Sequence, residues 1–205
     1  MAEDDFAGFV LRLLPPAPSR VLEIGCGEEG GLVELLAGRG YDVLGVDPRA
    51  PAGERFVRAR FEDADLGEFD AVVAGRVLHH VHPLDGGLDR LASLAPLLLA
   101  DEFGFDLIDA DAQDWYEAQH RMLVAAGVSP VGPPSFDEWR TRHTDLHPHD
   151  RLLEALRARY DERALEWVPY LHRWLGGPAS EALEQSLVDA GAFPAIGYRW
   201  AGVRS

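Results

Sequence analysis

Along the first half of the chain, short apolar runs alternate with amphipathic ones. Val21 to Ile24 and Tyr41 to Val46 are apolar and of strand length; between them lie glycines 25, 27, 30 and 31 and then an amphipathic run. The pattern predicts a strand, a glycine-rich turn, a helix and a second strand that Pro48 stops. The helix is expected to start near Glu29, with its free N–H groups aimed at whatever sits over the turn. Upstream, Phe6, Phe9, Val10, Leu13 and Leu14 share one helical face, and Pro15, Pro16 and Pro18 end that helix.

Downstream, residues 48–54 are too short for a good crossover helix, and 55–59 predict a short third strand. Residues 69–74 read as a strand buried on both faces, 84–94 as a helix, and 96–102 as a strand ending in two acids. Helices are expected over 111–126, 149–160 and 179–190, the last stopped by Gly191, with strands over 164–170 and 195–203. The segment between the first two of these helices, within residues 128–150, is rich in turn formers and reads as turns. These elements predict an α/β, doubly wound, mostly parallel sheet with helices on both faces.

The turn carries the candidate chemistry. Gly25-x-Gly27-x-x-Gly30 has the spacing of a dinucleotide-binding turn, and Asp47 follows Gly27 by twenty residues at the second strand's end. A carboxylate there can accept both hydroxyls of a ribose. By strand alternation Glu23 shares a face with Gly25. Its charge would repel a pyrophosphate and suit an ammonium or sulfonium group.

With Glu23-Ile24-Gly25-Cys26-Gly27-Glu28-Glu29-Gly30, the sequence resembles the class I S-adenosylmethionine-dependent methyltransferases, whose first motif is E-x-G-x-G-x-G; the last glycine here stands one place late. Phe69-Asp70-Ala71-Val72 is similar to that family's fourth strand, and Leu78-His79-His80-Val81 to its recurrent "LHHV". The resemblance implies a Rossmann-like sheet of seven strands in the order 3-2-1-4-5-7-6, the last antiparallel. It implies S-adenosylmethionine as cofactor and S-adenosylhomocysteine as product. Cofactor contacts are expected from Glu23, Gly25, Cys26, Gly27, Asp47, Pro48 and Phe61, from Glu62 or Asp63 at the adenine amino group, and from Ala74 and Gly75. His80, with His79 and Glu102 behind it, is the candidate general base.

The expected organisation is one methyltransferase domain: a cap helix in 1–19, a cofactor-binding half over 20–105, a helical insertion or lid after the fifth strand over 106–160, and C-terminal strands and helix over 161–205. Phe103, Trp115, His143 and His147 are the candidate acceptor contacts, since tryptophans and phenylalanines could hold an apolar or aromatic substrate. His143, Asp145, His147 and His149 could ligate a metal, but helix capping and solvent exposure explain them at least as well, and no metal is assigned.

Charge narrows the acceptor class. The 205 residues carry 35 acidic and 19 basic side chains, a formal net charge of −16, which opposes nucleic acid and anionic membrane surfaces. All the basic residues are arginine, so Schiff-base chemistry and the Tyr/Lys pairing of many nicotinamide reductases are excluded. The single Cys26 cannot form an internal disulfide, and no basic flank precedes a long apolar stretch, so a cytoplasmic protein without a membrane span is expected. The expected function is methyl transfer to a small molecule, with O, N or C as acceptor left open. An NAD(P)-dependent oxidoreductase and a non-catalytic cofactor-binding homologue are the rival classes, and a homodimer is one option for the assembly.

Overall fold

The computed structural model describes residues 5–204. Helix α1 (Phe6–Leu13) starts on Asp5, whose carboxylate accepts the Gly8 N–H at 2.8 Å. It is followed by β1 (Arg20–Ile24), α2 (Val33–Ala37), β2 (Asp42–Val46), β3 (Phe56–Val57), β4 (Ala71–Gly75), α3 (Leu84–Leu94) and β5 (Leu97–Phe103). Then come α4 (Ala110–Ala125), α5 (Phe136–Arg142), α6 (His149–Arg157), β6 (Tyr160–Val168), α7 (His172–Leu175), α8 (Pro178–Asp189) and β7 (Gly197–Arg204). Among the described residues no helix is long and apolar enough to cross a membrane.

The strands form one seven-stranded sheet in the order β3-β2-β1-β4-β5-β7-β6, the order that the resemblance implies. β1 is parallel to β2 and to β4, placing Glu23 beside Gly45 and Val73, and β4 is parallel to β5 with Gly75 beside Asp101. β7 runs the other way against β5: the Arg204 N–H donates to the Pro96 carbonyl at 2.7 Å at one end, and the Gly104 N–H to Ile196 at 2.8 Å at the other.

The chain divides into two compact units. The first comprises the residues up to Glu102, Asp150–Leu165, and the chain from Arg199; the second comprises Phe103–His149 and Glu166–Tyr198. In the first, Phe9, Val10 and Leu14 of the α1 segment and Val33 and Leu36 of α2 pack with Val21, Val43, Val73 and Leu99 of the sheet. Each such side chain withdrawn from water contributes about 1.5 to 3 kcal/mol. Because side chains alternate along β1, the face that buries Val21 also buries Glu23.

The second unit is built on aromatic packing. Phe103 stacks on Tyr170 with ring centroids 4.4 Å apart, and Trp139 stacks on Phe136 at 5.1 Å. Fully buried Glu184 accepts the N–H groups of Tyr170, Leu171 and His172 at 2.7–2.9 Å and pairs with His172 Nδ1 at 3.0 Å. One carboxylate thereby satisfies the start of the four-residue helix α7, which has no side-chain cap of its own.

Three expectations differ from the structure. Helix α2 starts at Val33, four residues after Glu29, because Gly30 and Gly31 both have positive φ (82° and 56°) and keep the chain in turns. Residues 136–142 form α5, where only turns were expected. The overlooked signal is Ser135-x-x-Glu138, whose serine hydroxyl accepts the Glu138 N–H at 3.5 Å. Strand β6 starts at Tyr160, at the expense of the end of the helix expected over 149–160, and ends at Val168.

Candidate functional site

Four strand ends of the first unit converge on one cavity of about 200 Å³. It is lined by Gly25 after β1, by Val46, Asp47 and Pro48 at the end of β2, by Ala59 to Glu62 after β3, and by Val77, His80 and Val81 after β4. Carboxyl ends of parallel strands are where such sheets bind ligands. Gly25, Asp47, Pro48, Phe61, Glu62 and His80, separated along the sequence, are therefore brought together.

The turn after β1 makes room for a ligand. Gly25 has φ +73°, and a Cβ there would lie 2.7 Å from Cβ of Val77. Gly27 has φ +66° with open space where its Cβ would be. Gly25→Ala is expected to lower stability by about 1 to 2 kcal/mol through the left-handed conformation alone, and to weaken ligand binding by displacing Val77. Thermal unfolding with and without ligand checks both.

Asp47 is oriented before any ligand arrives. The Arg49 N–H donates to Oδ1 at 2.7 Å, a local turn that leaves Oδ2 without a partner among the described residues. Glu62 accepts from Arg60 at 2.9 Å through one oxygen, and its other oxygen is uncommitted among the described residues. The loop that carries Glu62 is fixed from α3: Arg90 Nε donates to the Phe61 carbonyl at 2.9 Å, and Arg90 Nη2 donates to the Ala64 carbonyl. Asp63 faces a neighbouring cavity of about 500 Å³ that shares Arg60 and Glu62 with the first and adds His82 and Arg90.

Glu23 and Cys26 lie beneath the turn and do not line the cavity. Glu23 is 4% exposed, and both of its oxygens accept the Leu32 N–H, at 2.8 and 3.0 Å. Burial pushes its carboxyl up to about 7, and the amides of Leu32 and Val33 only partly oppose the shift. The Leu32 N–H, expected to face a ligand as part of a helix start, is thus used within the protein. The Cys26 thiol is pushed up to about 12, first by burial and then by the negative charges of Glu23 and Asp47, so it stays protonated.

Glu102 and His79 are buried behind the residues that follow β4. Glu102 accepts the N–H groups of Val77 at 2.9 Å and Leu78 at 2.6 Å, and its second oxygen pairs with His79 Nδ1. The His79 ring lies 4.2 Å from that of His80, which is exposed and lines the cavity. Ala74 is buried in β4, and Gly75 is its last residue.

The four candidate acceptor contacts belong to the second unit. Phe103 is buried among Tyr170, Trp139 and Trp174; Trp115 packs on Phe193 at 5.4 Å; His143 stacks on Trp139 at 4.4 Å. His147 is half-buried. Among the described residues, His143, Asp145, His147 and His149 are not gathered into one ligand set, and His149 pairs with Asp106 at 2.6 Å. Sequence reasoning missed Val46, Ala59, Arg60 and Val77 as lining residues, and only their proximity to strand ends signalled them.

The donor set fits S-adenosylmethionine. Asp47 offers an acceptor for a diol and Glu62 one for an amino group, and their two carboxylates, with Glu23 beneath the turn, favour a cationic ligand. Residues 2–173 match the model of a family described as a methyltransferase domain. The fold is similar to that of an S-adenosylmethionine-dependent methyltransferase from Mesorhizobium loti, with 19% identity, 99% of each chain covered and a TM-score of 0.58. It is also similar to the PH0226 protein of Pyrococcus horikoshii, with 14% identity, 99% of this chain and 89% of that one covered and a TM-score of 0.60. A TehB-like S-adenosylmethionine-dependent methyltransferase from Corynebacterium glutamicum follows, with 13% identity, 98% and 87% covered and a TM-score of 0.53. At these identities the likeness is one of fold. No curated protein is significantly similar in sequence. The matched family, the strand order and the acid-lined turn agree, and the chain belongs to the methyltransferase-domain family as a class I S-adenosylmethionine-dependent methyltransferase.

Proposed function

We propose that the protein transfers the methyl group of S-adenosylmethionine to a small-molecule acceptor. The observation that carries this reading is charge: a chain of net charge −16 without lysine, whose cofactor cavity is itself flanked by Asp47 and Glu62, repels polyanionic acceptors. In this reading Asp47 holds the ribose hydroxyls through Oδ2, Glu62 accepts from the adenine amino group, and Phe61, Val77 and Val81 supply apolar walls. The cofactor, when bound, supplies an electrophilic methyl carbon on a positively charged sulfur. The protein's remaining task is to orient the acceptor and to remove a proton where the acceptor atom carries one. Supplied with methyl-labelled cofactor and a cell extract, the protein should place label in the small-molecule fraction. Label confined to nucleic acid or protein would overturn the acceptor class.

His80 shares its cavity with the ribose and adenine candidates, which favours contact with the nucleoside over proton transfer. His80→Ala is expected to raise the Kd of S-adenosylmethionine by roughly three- to tenfold, in line with the loss of one ring contact, and to leave kcat at saturation little changed. A fall in kcat that high pH partly restores, with Kd intact, would instead make His80 the general base. Competition between S-adenosylmethionine and NADH, read by calorimetry, separates this function from a nicotinamide oxidoreductase, whose pyrophosphate the buried and lining carboxylates disfavour.

A further inference from the structure

We propose that Glu102 is a positioning residue for cofactor binding: its buried carboxylate clamps residues 77–79 and so sets the cavity wall formed by Val77, His80 and Val81. The inference rests on the cofactor assignment above and adds to it a residue that does not itself line the cavity. Glu102 has no exposed surface, and a carboxylate so placed must find its donors inside the protein. Three donors come from one short stretch: the N–H groups of Val77 and Leu78 share Oε1, and His79 Nδ1 pairs with Oε2.

That stretch needs holding. Arg76, which leads into it, has φ +56°, a conformation uncommon for a residue with a side chain, and its N–H donates to the Asp101 carbonyl at 2.6 Å. Two consecutive residues of β5, one by main chain and one by side chain, therefore fix residues 76–79. The constraint reaches the cavity by two routes. Val77 sits against Gly25 closely enough to leave no space for a Cβ. The N–H groups of His80 and Val81 donate back to the carbonyls of Val77 and Leu78 at 3.1 Å, so these two lining residues follow the clamp. With both oxygens engaged, Glu102 acts through the loop and not on a proton of the acceptor.

Glu102→Gln tests this in the full-length protein. A carboxamide has one carbonyl oxygen where the clamp uses two, and a neutral acceptor holds an N–H less strongly than a charged one. In the unliganded variant, the amides of Val77 and Leu78 should exchange hydrogen faster than in the wild type, while those of Leu22 and Ile24 in β1 keep their protection. The Kd for S-adenosylmethionine should rise about fivefold or more with loss of charge-assisted bonds. Glu102→Ala should go further in both measurements. Unchanged exchange at Val77 and Leu78, or faster exchange there with Kd unaltered, would overturn the proposal. So would a uniform loss of protection that includes β1, the sign of a merely structural residue. A wild-type protein that binds no S-adenosylmethionine would overturn the cofactor assignment together with this inference, and it would show before any variant is made.

Discussion

Glu23→Gln is expected to make the unliganded protein more stable than the wild type at pH 8, by about 3 kcal/mol. The Glu23 carboxyl lies near 4.5 in an unfolded chain and at about 7 in the folded one, chiefly because burial disfavours its charge. Below pH 4.5 both states hold the proton and the residue is neutral in its effect. Between 4.5 and 7 the unfolded chain releases the proton first, so the folded state binds more protons and stability falls as pH rises. Above 7 the full cost of the buried charge is in place, and 2.5 pH units at about 1.4 kcal/mol each give about 3.5 kcal/mol, part of which the burial of the glutamine NH2 group offsets. Glutamine carries no such cost, and its carbonyl can still accept the Leu32 N–H. Chemical denaturation of both proteins from pH 5 to 8 measures the difference, and parallel curves would remove the explanation. The same substitution should reduce the stabilisation that S-adenosylmethionine confers, because a cation nearby favours the ionised carboxylate. Glu23 is thus read as a residue that trades stability for a negative site.

Asp47→Ala is expected to weaken S-adenosylmethionine binding ten- to hundredfold, the equivalent of about 1.5 to 3 kcal/mol for hydrogen bonds to a charged group. The size follows from preorganisation: the Arg49 N–H already fixes Oδ1, so little freedom is lost when Oδ2 accepts a hydroxyl. Asp47→Asn, which can keep the bond to Arg49 but loses the charge, should fall between. Asp47 is half-buried at the rim of its strand, and its removal should leave unfolding nearly unchanged. Calorimetry of the three proteins decides, and equal affinities would move the ribose elsewhere.

The parts of the fold legible in the sequence are those whose signals are local. Leu84–Leu94 is a helix to the residue, and β1, β2 and β5 fall within one residue or so of their apolar runs, because burial on one or both faces leaves its period in the composition. β6 was the exception. Residues 161–163 are exposed at the sheet's outer edge, where one neighbour suffices and no apolar alternation is required. α5 hid in a Pro- and Gly-rich segment behind a single capping signal.

The candidate site divides along the same line. Glycine spacing and the acid twenty residues on are local facts that named Gly25 and Asp47, while Phe61, Glu62 and His80 were named through the resemblance of their short motifs to the methyltransferases; all five line the cavity. Which way the buried carboxylates turn is not a local fact. Glu23 closes on Leu32 because the turn folds back over β1, and Glu102 closes on residues 77–79 because β4 and β5 pair with Gly75 beside Asp101. A hydrogen-bonding oxygen is satisfied by whichever donor the chain brings within about 3 Å. For partners 24 or 25 residues apart along the chain, strand register made that choice, and register exists only once the sheet has formed.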